Sequence, residues 1–223
     1  MILTLATIAI MITWIPVFIF SEYKWGEKNY FYTKTFSSLL FLTIGLLGHF
    51  SAITPSSYSL FILAALTFGL VGDVLLVFSD KHICFLLGLI SFLIGQIVYG
   101  VLFLMNSGFL LYDLILYIAI VLLSLLAYKK SNLNPGKMKF PALFYLLAIS
   151  FMYTMALSTI YKQAYTPLTT LVIVVGSTLF ALSDMVLSFS MFTNDAEPVL
   201  KRVNIGLYFY GQMLLAASII TFV

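Results

Sequence analysis

The sequence predicts an all-α integral membrane protein, with eight transmembrane helices arranged as two parallel four-helix repeats. Three observations lead there. Of the 223 residues, 62% are hydrophobic and only 9% charged, with a mean hydropathy of +1.11; in soluble domains charged residues fill about a quarter of the chain. The apolar residues form continuous runs of about the 20 residues that one bilayer crossing needs, without the alternation of a membrane barrel. Finally, a set of polar residues in the first half recurs, in the same order, in the second.

The runs fall at 2–20, 34–50, 58–79, 83–105, 109–127, 140–161, 167–192 and 203–223. The first has no basic leader and no small-residue cleavage site, so it reads as a retained helix rather than a signal peptide. The second opens on Lys34 and ends at His49; the third carries Asp73. The fourth holds Gly95-Gln96 in "IGQIVYG", and the fifth has Asp113 near its outer end. The stretch "YKKSNLNPGKMK" has the Asn, Pro and Gly of a turn and divides the chain into halves of about 1–127 and 128–223. The sixth run follows Lys139, the seventh carries Asp184, and the eighth holds Gly211-Gln212 in "FYGQMLLA". No connection is long enough for a soluble domain, so residues 1–223 read as a single membrane domain.

Charge gives the orientation. Lys24, Lys28, Lys34, Lys81, Lys129, Lys130, Lys137, Lys139, Lys201 and Arg202 fall on one side, and Lys162 alone on the other. The positive-inside rule makes the lysine-rich side cytoplasmic, with both termini on the opposite side. A net charge of +3 gives no reason to expect a nucleic-acid partner. The lone Cys84 excludes an intrachain disulfide. With His49 and His82 both at span ends, no metal site and no cofactor are expected.

The internal repeat carries the chemistry. "GDVLLVFS" (72–79) matches "SDMVLSFS" (183–190): a small residue, an Asp, Leu three positions later, then Phe-Ser. The Gly-Gln pairs of the fourth and eighth runs match as well, as do Lys34 and Lys139. Four helices per half give both halves the same orientation, which makes a parallel repeat about the membrane normal. Asp73 and Asp184 then lie at similar depth and can face each other across the repeat interface. A carboxylate in hydrocarbon costs about 2.5–3.5 kcal/mol unless it is neutralised or paired. Two acids near one another do not both ionise easily, so one is expected to hold a proton and act as general acid while the other is base or charge stabiliser.

Around them the candidate binding residues are Lys34, Lys139, Gln96, Tyr99, Ser183, Ser188, Tyr208 and Gln212. Ser177, Ala181, Asp184 and Ser188 share one helix face; so do Asn204, Tyr208 and Gln212. Gly88, Ser91, Gly95 and Tyr99 form a small or polar seam, and small residues in such seams commonly serve packing. Lys34 and Lys139 fit either interfacial anchors or a phosphate site. Asp80 and Asp113 read as solvated.

The "GD" and "SD" helices, "GQIVY" and the terminal "YGQMLL" resemble the YhhN-like family of lysoplasmalogenases over essentially the whole chain. The resemblance implies a multipass hydrolase, placed in a bacterial cytoplasmic membrane. Such a hydrolase cleaves the vinyl ether bond of a lysophospholipid, the lysoplasmalogen, to a fatty aldehyde and a glycerophospho-head-group. It carries the family's acids onto Asp73 and Asp184 and its basic residue onto Lys34. The chain departs from the family where Thr35, rather than Pro, follows the lysine, and where Gln96 and Gln212 stand in place of a His common in bacterial relatives. Vinyl ether hydrolysis needs a positioned acid and a nearby anion for the oxocarbenium ion, the same two needs that put paired carboxyls in glycosidases. The other reading is a proton-coupled transporter built on the same acids. An intramembrane aspartyl protease has its motifs in another order, and zinc or serine hydrolases would need histidines that this chain lacks at mid-membrane.

Overall fold

The computed structural model describes residues 2–24, 27–51, 56–131, 133, 135–192 and 198–222, with backbone alone at 21–24, 27, 28 and 137. The side chains of Lys24, Lys28 and Lys137, and Asn132 and Asn134 of the mid-chain turn, therefore lie outside the described residues. Within them the chain forms α1 (Ile2–Lys24), α2 (Glu27–Ser51), α3 (Ser57–Val77), α4 (His82–Ser107), α5 (Leu111–Lys130), α6 (Lys139–Lys162), α7 (Pro167–Phe192) and α8 (Pro198–Thr221). A short 3₁₀ turn, Gly136–Met138, precedes α6. All eight helices are long and apolar enough to cross a membrane, the solution a bilayer imposes when no backbone group can be left unbonded.

Local chemistry sets the helix ends. The Ser56 hydroxyl accepts the Ser59 N–H at the start of α3, a side-chain N-cap. Pro167 and Pro198 open α7 and α8, where a missing N–H costs nothing. Gly108 closes α4 with φ of 69°, a conformation that glycine adopts without Cβ strain. Two helices start well before their apolar runs, α2 by seven residues and α8 by five. Hydropathy marks the bilayer core, whereas a helix continues through the interface, here along the aromatic belt of Tyr30, Phe31 and Tyr32. Lys34 consequently sits two turns inside α2, and its side chain is only 11% exposed.

Packing follows the small residues. α3 lies against α4 and α7 against α8; α2 touches α3 and α8, and α6 touches α4 and α7. At the α7–α8 crossing, a Cβ on Gly211 would stand 2.9 Å from the Gly176 carbonyl oxygen, and one on Gly176 3.1 Å from that of Gly211. Only glycines permit that approach. In the α3–α4 seam the Ser91 hydroxyl donates to the Phe68 carbonyl at 2.7 Å, and a Cβ on Gly95 would meet the Ala65 carbonyl at 3.2 Å. The small residues of this seam are thus packing contacts. α1 packs on both α2 and α8, but among the described residues α5 packs on α6 alone.

Asp113 departs from the sequence reading. It is fully buried rather than solvated. Its carboxylate accepts from Lys162 Nζ at 2.7 Å and from the Leu110 N–H at 2.6 Å, and also from the Tyr161 hydroxyl. The cluster caps the first turn of α5, where a helix favours an anion, and ties it to the end of α6. Asp113→Asn takes the counter-charge from Lys162 but leaves its ammonium the Gly108 carbonyl as acceptor, at a cost of about 1–3 kcal/mol. The expected result is a lower melting temperature in detergent, with the properties of the distant Asp184 site unchanged per folded molecule.

Candidate active site

The two repeat acids have different surroundings. Asp73 is 1% exposed and lies four residues before the end of α3, about 6 Å along the helix. Its Oδ2 accepts from the Ser38 hydroxyl at 2.6 Å and the Tyr208 hydroxyl at 2.7 Å. Its Oδ1 lies 3.3 Å from Lys34 Nζ. Both α2 partners come from one face, since Lys34 and Ser38 are four residues apart. Lys34 is therefore engaged in the interior as a counter-ion, while Tyr30, one turn earlier, meets both Lys34 (5.9 Å from the ring centre) and Lys201 (4.4 Å).

Asp184 lies eight residues before the end of α7, about 12 Å along the helix, and 17 residues from its start, as Asp73 lies 16 from the start of α3. Its Oδ2 accepts from Gln96 Nε2 at 2.8 Å and from the Tyr145 hydroxyl at 2.7 Å. Among the described residues no cation pairs with it. Asp184 also lines a cavity of about 570 Å³ whose walls come mainly from α4, α5, α6 and α7 and are largely apolar. Lys139 and Met138 stand at its lysine-rich mouth, Ser188 and Ala181 beside the acid, and Tyr153 and Thr178 at its far end.

Phe92 separates the two acids' environments. It lines the cavity, its ring lies where a Cβ of Gly72 would be, at 2.7 Å, and it meets the Tyr208 ring edge-on with centres 5.8 Å apart. Asp73 and its partners do not line the cavity; behind Phe92 they form a sealed polar core. Tyr208 and Gln212 converge over Gly69, whose hypothetical Cβ would lie 3.4 Å from the Tyr208 hydroxyl and 3.2 Å from Gln212 Nε2. The Tyr99 hydroxyl donates to Gln212 Oε1 at 2.9 Å. Asn204, on the same face, donates to the Ser183 carbonyl at 2.7 Å.

The ten residues singled out in the sequence thus fall into three places. Asp184, Gln96, Ser188 and Lys139 belong to the cavity or its immediate wall. Asp73, Lys34, Tyr208, Gln212 and Tyr99 make the sealed network. Ser183 is buried and its hydroxyl bonds to the Phe180 carbonyl, so it serves helix packing. Ser177, although in register with Asp184, is fully buried outside the cavity. Sequence reading missed Ser38 and Tyr145. Ser38 was findable from its four-residue spacing to Lys34; Tyr145 was one tyrosine among 14.

The family assignment rests on the match of residues 29–219 to the YhhN family. That span runs from α2 to α8 and takes in both acids and all their partners. The chain belongs to the YhhN family. No match was found among curated proteins or among solved structures. In this YhhN protein Asp73 and Asp184 both fall within the matched span, one a sealed, lysine-paired acid and the other an open one with no cation among the described residues. A group of His, Cys, Asp or Glu able to hold a metal does not occur among the described residues.

Proposed function

We propose that this YhhN protein hydrolyses the vinyl ether bond of lysoplasmalogens, with Asp184 as the general acid. The observation that carries the reading is Asp184 itself: a carboxyl with no cation, held by two neutral donors on one oxygen, at mid-depth in an apolar cavity that opens at a lysine. Such a cavity favours the uncharged acid. Gln96 and Tyr145 both engage Oδ2, which leaves Oδ1 to carry the proton toward the substrate.

In this reading the Asp184 proton goes to the vinyl carbon distal to the ether oxygen, and the π electrons form the new C–H bond. An oxocarbenium ion results beside the new carboxylate, which stabilises it while Gln96 and Tyr145 stabilise the carboxylate. Water adds to the oxocarbenium carbon and returns a proton to Asp184. The hemiacetal collapses to a fatty aldehyde and the glycerol hydroxyl, so one water is consumed. Asp73 does not touch the substrate in this scheme; with Lys34 it is a fixed ion pair behind Phe92 that orients Tyr208.

The helix contacts support the parallel repeat. α2 meets α8 as α6 meets α4, and α3 meets α4 as α7 meets α8. Two contacts break the repeat: α1–α8 and α3–α8 have no counterparts in α5–α4 and α7–α4 among the described residues, and the cavity, walled by α4, α5, α6 and α7, lies at that break. Reading the lysine-rich side as cytoplasmic, the head-group would stay at Lys139 and the tail would extend inward. The test is aldehyde release from a lysoplasmalogen by the purified protein in proteoliposomes; solute flux with no aldehyde would sink the hydrolase and favour a transporter. Tyr145→Phe removes a hydrogen bond worth about 1.5–3 kcal/mol to a charged acceptor, so turnover should fall by about 10- to 100-fold with little change in melting temperature.

A further inference from the structure

The cavity is a groove over α6 between α7 and α5. On α6, Leu146 lines it. Tyr145, which lines it as well, reaches α7 at Asp184, and the Leu147 carbonyl accepts from Tyr117 of α5. α6 packs on both α7 and α5, and its lining stripe runs along the cavity that these two helices flank. Those two helices both line the cavity but do not pack on each other. Leu125 of α5 and Met185 of α7 stand on its rim, 37% and 46% exposed although both line it.

The inner end of the groove is short and polar. From Asp184 to Thr178 is six residues, about 9 Å along α7, and there the Thr178 hydroxyl donates to Tyr153 at 3.3 Å. A long alkyl chain that starts at Asp184 runs out of room against hydroxyls, whereas the gap beside it leads into lipid.

We propose that the tail of the bound single-chain lipid leaves the cavity between α5 and α7 and lies in the bilayer, so that the protein takes its substrate sideways from the leaflet and does not measure chain length. The inference rests on the lysoplasmalogen reading above. The test closes the gap. In a Cys84→Ser background, Leu125→Cys and Met185→Cys are joined by a reductant-cleavable bifunctional thiol reagent in proteoliposomes. Aldehyde release is then followed from a long-chain lysoplasmalogen and from a short-chain soluble analogue. Relative to the unlinked double-cysteine protein, cross-linking should slow the long-chain substrate at least about tenfold more than the short one, and be reversed by reductant. Equal rates with and without the link, or equal loss for both substrates, overturn the lateral route. So does a sharp chain-length cut-off in the unlinked protein. No aldehyde from either substrate before linking overturns the hydrolase reading, and this inference with it.

Discussion

Asp184→Asn should abolish aldehyde release, with a loss of about 10²–10⁴-fold or more, the contribution of a positioned general acid. The amide keeps the shape and still accepts from Gln96 and Tyr145 through its oxygen, so the hydrogen bonds that hold the site survive. What disappears is the transferable proton. Because Asp184 stands in a cavity rather than in a packed ion pair, the substitution leaves no charge stranded, and the variant should lose no more than about 1 kcal/mol of stability. The measurement is single-turnover aldehyde formation alongside the melting profile of the same preparation. Full turnover by Asp184→Asn would end the assignment of Asp184 as acid, whatever the substrate proved to be.

Much of this was legible in the sequence, for identifiable reasons. The eight helices follow from composition, because a bilayer leaves an apolar 20-residue run few alternatives. Asp73 and Asp184 stood out because an acid in such a run is costly, and their repeat marked them as a pair. Hydropathy, however, does not see a helix continuing through the interface. The seven extra residues at the start of α2 turn Lys34 from an anchor into the counter-ion of Asp73, while Lys139, its repeat partner, stays exposed at the cavity mouth. Nor does a repeat in sequence reveal where its packing fails. α1 and α5 are both apolar runs, but α1 closes against α8 whereas α5 makes no counterpart contact with α4 among the described residues, and that difference accompanies one acid beside a cavity and the other enclosed. Tyr145 and Asp113 were missed or misjudged because their partners, Asp184 and Lys162, lie 39 and 49 positions away, a separation that spacing rules within one helix do not reach.

Asp73 poses the sharper test, since an acid matched by repeat need not be matched in role. Asp73→Asn leaves Lys34, 11% exposed, charged in the interior without its counter-ion, with only the Tyr30 ring 5.9 Å away. Breaking one side of a buried ion pair costs about 3–5 kcal/mol, so the single variant should be strongly destabilised, and Lys34→Met likewise. Removing both charges together, in Lys34→Met with Asp73→Asn, strands neither. Ser38 and Tyr208 can still donate to the Asn oxygen, so most of the lost stability should return, as replacement of whole buried pairs by neutral groups often allows. The double variant then separates the two roles. If Asp73 only orients Tyr208 and the core behind Phe92, the double variant should fold and keep aldehyde release within about tenfold of the parent. If the negative charge of Asp73 itself stabilises the oxocarbenium ion across Phe92, the double variant should fold and yet lose activity nearly as far as Asp184→Asn. The geometry favours the first outcome, because Lys34 already neutralises that charge and Phe92 stands between it and the cavity.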